Sequence, residues 1–128
     1  MAKKVLMIDD DADFVEAITT LLEAKGYTVE SAGNSQEGFK KAIKDVPDLI
    51  LLDVMMTRKT EGFDMALSLK NESKTKNVPI VMITGIKREM NLPFGFEPND
   101  EWLPVKVVLE KPIKPEVLLK ALEEHIGK

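Results

Sequence analysis

Leu49-Ile50-Leu51-Leu52-Asp53-Val54-Met55-Met56 is the stretch that sets the architecture of this chain. Four apolar residues in a row are too few to span a membrane, and without polar alternation they predict a strand buried on both faces. A carboxylate, Asp53, then stands where that strand should leave the core. An acid at such a point is either a helix cap or a reactive group, and its neighbours in space decide which.

Before it, Val5-Leu6-Met7-Ile8 is a similar run that ends in Asp9-Asp10-Asp11. It predicts a buried first strand, with Asp11 as the N-cap of the helix that follows. Phe14, Ile18, Leu21 and Leu22 recur at helical spacing, and Gly26 supplies the stop. Tyr27 to Ala32 is rich in strand formers and predicts the second strand. Asn34 followed by Glu37 resembles a capping box. The second helix is expected to turn Phe39, Ala42, Ile43 and Val46 inward and to end at Pro47.

After it, a polar loop from Thr57 to Glu61 leads to a helix from about Gly62, with Phe63, Ala66, Leu67 and Leu69 as its apolar positions. Asn77-Val78-Pro79 is a linker, and Ile80 to Ile83 is a further buried strand ending at Thr84-Gly85. Gly85 to Pro104 breaks the rhythm. Pro93, Gly95, Pro98 and Pro104 argue against a long regular helix there, and Phe94, Phe96 and Trp102 are expected to fold back over the sheet, with a partner-binding surface as the other reading. Val105 to Leu109 predicts the last strand, ending at Glu110-Lys111-Pro112. The final helix starts near Pro115, with Leu118, Ala121, Leu122 and Ile126 buried.

Alternating strands and helices with short links predict an α/β fold, a parallel sheet covered on both sides. The 128 residues have the length of one domain, taken as 1–128. A net charge of -4 argues against a nucleic-acid groove. With no cysteine there are no disulfides or thiolate metal sites, and with His125 as the sole histidine a histidine triad or multi-histidine metal site is excluded. Val5 to Ile8 is too short for a targeting core or a membrane span, so a cytoplasmic protein is expected.

In a doubly wound sheet, ligands bind beyond the carboxyl ends of the strands where strand order reverses. For a five-stranded sheet in the order 2-1-3-4-5, that point lies between the first and third strands, whose ends carry Asp9, Asp10 and Asp53. Thr84 and Lys111 end the fourth and fifth strands on the same edge. Two carboxylates about 4 Å apart repel by roughly 4 kcal/mol at an effective dielectric near 20. Three of them recruit a cation or take up a proton. Oxygen-only ligands suit Mg²⁺, and three carboxylates, one divalent cation and Lys111 sum to zero charge. Such a site suits phosphoryl transfer to Asp53, with Lys111 and the Thr84 hydroxyl holding phosphoryl oxygens and Gly85 leaving room beside them.

Asp9-Asp10 after the first strand, Asp53 after the third, Thr84 after the fourth and Lys111-Pro112 after the fifth together resemble the receiver domain of two-component response regulators, which is CheY-like and flavodoxin-like in fold. The resemblance runs from Lys4 to Ile126. It implies that Asp53 is phosphorylated by a sensor histidine kinase or a histidine phosphotransfer protein. It further implies that Asp10, Asp53 and the Met55 carbonyl bind Mg²⁺, with Asp9 acting through a water. Thr84 and Lys111 would hold and report the phosphoryl group. Such a domain is not a classical enzyme: it catalyses its own phosphorylation and dephosphorylation. Its output would be a downstream protein target or a phosphorelay, with no direct nucleic-acid binding and no membrane.

Three positions depart from the family pattern. Thr57 replaces the usual proline in a loop one residue longer, Val108 replaces the aromatic switch, and Gly85–Pro104 is long and proline-broken where the family has its fourth helix. The loop at Thr57 would alter access or the rate of phosphate loss, while Val108 and the altered fourth-helix region favour an alternative, a degenerate receiver that binds partners independently of phosphorylation. A hydrolase of the haloacid-dehalogenase kind would need an aspartate where Met55 stands.

Overall fold

In the computed structural model, which describes residues 3–53, 61–84, 107–110 and 113–126, the apolar runs of the sequence become the strands of one parallel sheet. The strands β1 (Lys4–Ile8), β2 (Thr28–Ala32), β3 (Leu49–Asp53), β4 (Ile80–Thr84) and β5 (Val107–Glu110) lie in the order β2-β1-β3-β4-β5. The helices are α1 (Ala12–Ala24), α2 (Ser35–Lys44), α3 (Glu61–Asn71) and α4 (Pro115–His125). This is the doubly wound α/β arrangement and the strand order expected. The segment Gly85–Pro104, expected to be irregular, lies outside the described residues.

Side chains alternate across a strand, so a run that is apolar throughout feeds two cores. On one face Leu6, Ile8, Ile50, Leu52, Ile80 and Met82 pack with Ala42 of α2 and Met65, Ala66 and Leu69 of α3. On the other, Val5, Met7, Leu49, Leu51, Val81 and Ile83 pack with Ile18 and Leu22 of α1 and Leu118 and Leu122 of α4. Every residue of β3 is buried. Each large aliphatic side chain taken fully out of water contributes about 1.5–3 kcal/mol, so the central strands anchor both layers.

The helix starts follow the capping residues. Asp11 accepts from the Phe14 amide at 3.2 Å, and Asn34 accepts from the Glu37 amide at 2.8 Å. Gly26 leaves α1 through the left-handed region at φ 92, where a side chain would be strained. The end of α2 differs from expectation. The helix stops at Lys44, Asp45 is its C-cap with φ -145 and ψ 86, and Val46 lies past it, 43% exposed rather than inward. The proline at 47 disfavours helical geometry just before it, and the chain instead extends toward β3.

Lys4 ties the amino edge of the sheet together. Its amide donates to Asp48 Oδ2 at 2.8 Å, and its ammonium pairs with Glu30 of β2 at 3.0 Å and with the Asp45 carboxylate. Among the described residues, no helix is long and apolar enough to cross a membrane.

Candidate functional site

The register of the sheet brings the strand-end acids together. Ile8 of β1 stands opposite Leu52 of β3, so the next residue on each strand, Asp9 and Asp53, meet at the carboxyl edge. Asp53 stands opposite Ile83 of β4, and Thr84 closes that strand opposite Glu110 of β5. One carboxylate oxygen each from Asp9, Asp10 and Asp53 lie within 4.8 Å of one another. Asp9 is 3% exposed and Asp53 is 2% exposed, whereas Asp10 faces solvent.

Two backbone contacts hold Asp9. Its amide donates to the Ala32 carbonyl at 3.0 Å, and its Oδ1 accepts from the Asp11 amide at 2.8 Å. The three consecutive acids therefore divide. Asp9 and Asp10 join the cluster with Asp53, while the Asp11 carboxylate turns to the first turn of α1. A cleft of about 280 Å³ opens beside them, bounded by Asp9, Asp10, Val15, Glu16, Ser31 and Gly33. The cleft gives access to Asp9 and Asp10.

Three carboxylates this close repel one another unless a positive charge is shared among them. Their donors are oxygen alone, and the sequence has no cysteine and a single histidine, in the last turn of α4. Among the described residues, His125 is not part of the cluster. The donor set therefore fits a hard divalent cation that prefers oxygen. It does not fit zinc or copper centres built on nitrogen and sulfur.

Of the residues expected at the site, Asp9, Asp10 and Asp53 converge, and Thr84 ends β4 on the same edge. Met55 and Lys111 lie outside the described residues. Val108 stands opposite Met82 in the β4–β5 register. Sequence reasoning missed Gly38 of α2, whose Cα packs directly against Ile8, the residue before Asp9. A glycine inside an otherwise amphipathic helix was the available signal.

Comparison with known proteins gives the family and the fold. The family model of the response regulator receiver domain matches residues 5–123. The phosphate regulon transcriptional regulatory protein PhoB of Pseudomonas aeruginosa is 34% identical over 124 residues, covering 96% of this chain and 51% of that protein. Protein PilH of the same organism is 27% identical over 119 residues, covering 93% of each chain. The structure of the chemotaxis protein CheY4 of Vibrio cholerae matches with a TM-score of 0.80 at 30% identity, covering 98% of this chain and 100% of that one. The chain spans about half the length, or less, of transcriptional regulators such as PhoB and the CpxR homolog of Haemophilus influenzae.

Proposed function

The chain belongs to the response regulator receiver domain family of two-component signalling, and from that premise we propose that it is a phosphoacceptor whose nucleophile is Asp53. The observation that carries the reading is the meeting of Asp9, Asp10 and Asp53 oxygens within 4.8 Å at the switch point of the sheet. Residues 1–128 act as one receiver domain working in the cytoplasm.

A carboxylate oxygen of Asp53 attacks the phosphorus of a phosphohistidine on a sensor kinase or phosphotransfer protein. The new P–O bond forms as the P–N bond breaks, and the electron pair returns to the donor imidazole. Mg²⁺, when bound, neutralises charge on the transferring group and orients its oxygens. Asp10, Asp53 and the Met55 carbonyl would hold it, with Asp9 acting through a water. Lys111 and the Thr84 hydroxyl would bind the phosphoryl oxygens and convey the change to a downstream protein. Asp53 is 2% exposed, and that burial would shield the acyl phosphate from bulk water and slow its hydrolysis.

The test is incubation with Mg²⁺ and a small phosphodonor such as acetyl phosphate, followed by intact mass. A single phosphate-sized gain is expected. Asp53→Asn and removal of Mg²⁺ should each abolish it. No gain, or a gain that survives Asp53→Asn, would sink the phosphoacceptor reading and favour a phosphorylation-independent binding module.

A further inference from the structure

The third acid of the Asp9-Asp10-Asp11 run is not spare charge, and we infer that Asp11 is a positioning residue for the cation site. The inference rests on the reading that Asp10 and Asp53 bind Mg²⁺ directly and Asp9 binds it through a water.

Asp11 uses both of its backbone-directed groups at once. Its carboxylate accepts from the Phe14 amide at 3.2 Å and closes the first turn of α1. Its own amide, fixed by that cap in an extended conformation at φ -89 and ψ 96, donates to Asp9 Oδ1 at 2.8 Å. The Val15 amide bonds back to the Asp11 carbonyl at 3.0 Å, so the cap residue is held on both sides. One oxygen of Asp9 is thereby committed to the backbone and the orientation of the carboxylate is set. Asp11 itself contributes no oxygen to the cluster of acids. Its influence on a cation passes through Asp9.

Groups that orient a direct metal ligand are worth about 10–100-fold in metal affinity, and with Asp9 acting through a water the effect expected of Asp11 is at or below the lower end. The charge, the cap and the amide of Asp11 can be separated by substitution. Asp11→Ser keeps a cap oxygen and the amide but removes the charge. Asp11→Ala removes the charge and the cap, leaving an amide that is no longer held. Asp11→Pro removes the amide.

Mg²⁺ binding is measured by calorimetry on the full chain, well below the unfolding temperature of each variant. Asp11→Ser should bind within about twofold of the unaltered protein, Asp11→Ala several-fold more weakly, and Asp11→Pro on the order of tenfold more weakly. If Asp11→Pro does not fold, the contrast between Ser and Ala decides. Equal affinity in those two variants overturns the positioning role, because then only charge, or nothing, was lost. Thr75→Val is the control for stability alone. Thr75 is buried beyond the far end of α3, where its hydroxyl donates to the Leu69 carbonyl at 2.6 Å. If Thr75→Val weakens Mg²⁺ binding as much as Asp11→Ala does, the effect is global and the inference falls. If the unaltered protein binds no Mg²⁺, both this inference and the reading beneath it fail. Binding by the unaltered protein with no Ser–Ala contrast removes only the role of Asp11.

Discussion

Gly38 of α2 touches Ile8 where a side chain would have no room: an added Cβ would lie 2.6 Å from Ile8 Cδ1 and 2.8 Å from Ile8 Cγ1. Ile8 is fully buried and directly precedes Asp9, so α2 bears on the backbone that delivers the acid. Two effects compete in Gly38→Ala. Alanine gains about 1 kcal/mol over glycine in helix propensity. Overpacking a buried site costs about 1–3 kcal/mol. Because the clash includes Cγ1 as well as the terminal methyl, the second effect should win. A net loss of about 1 kcal/mol is expected in a urea melt. A gain in stability would show that Ile8 yields at little cost and that the glycine is there for another reason.

At the level of elements, the ends of the helices are set by single side chains. The Asn34 cap on α2 is the cleanest case, with one 2.8 Å bond to the Glu37 amide at an exposed position. Asn34→Ala should lower stability by about 1 kcal/mol, and Asn34→Ser or Asn34→Asp should restore most of it. A denaturation midpoint that does not move with Asn34→Ala would mean that packing of Ala42 and Phe39 holds the helix start without the cap. Elements of this kind were readable in the chain because their causes are local. Uniform apolar runs marked β1, β3 and β4, and capping residues marked the starts of α1 and α2. The strand-end position of Asp9, Asp10 and Asp53 was readable too, once the strands were taken as neighbours. Causes that act across the fold were not readable. The exposure of Val46 depends on where α2 yields to the extension before Pro47. The burial of Thr75 depends on its hydroxyl reaching the Leu69 carbonyl across a turn. The amide of Asp11 donates to Asp9 only because α1 starts where it does, and no periodicity contains that fact.

Over the whole molecule, the carboxyl edge gathers acids while the amino edge is held by Lys4, and the two edges respond to pH differently. Burial acts against the Lys4 ammonium, but its bonds to Asp45 and Glu30 and their charges outweigh this and raise its pKa above the ordinary 10.5. Burial, and then the charge of Glu123, raise the Tyr27 phenol above its ordinary 10.0. Both groups hold their protons more tightly folded than unfolded. Their contribution is therefore complete below the ordinary values and is lost as pH rises through the higher folded values. Stability should thus hold from neutral pH to about pH 10 and then fall. Lys4→Met should lower stability at neutral pH, where the pair with Glu30 and Asp45 is lost, and flatten the decline above pH 10. Tyr27→Phe should flatten the same decline from the other group. Urea melts at pH 8 and pH 11 on the three proteins test this. If Lys4→Met and the unaltered chain lose stability equally between those two conditions, the ammonium is not what fastens β1 to β2 and to the end of α2.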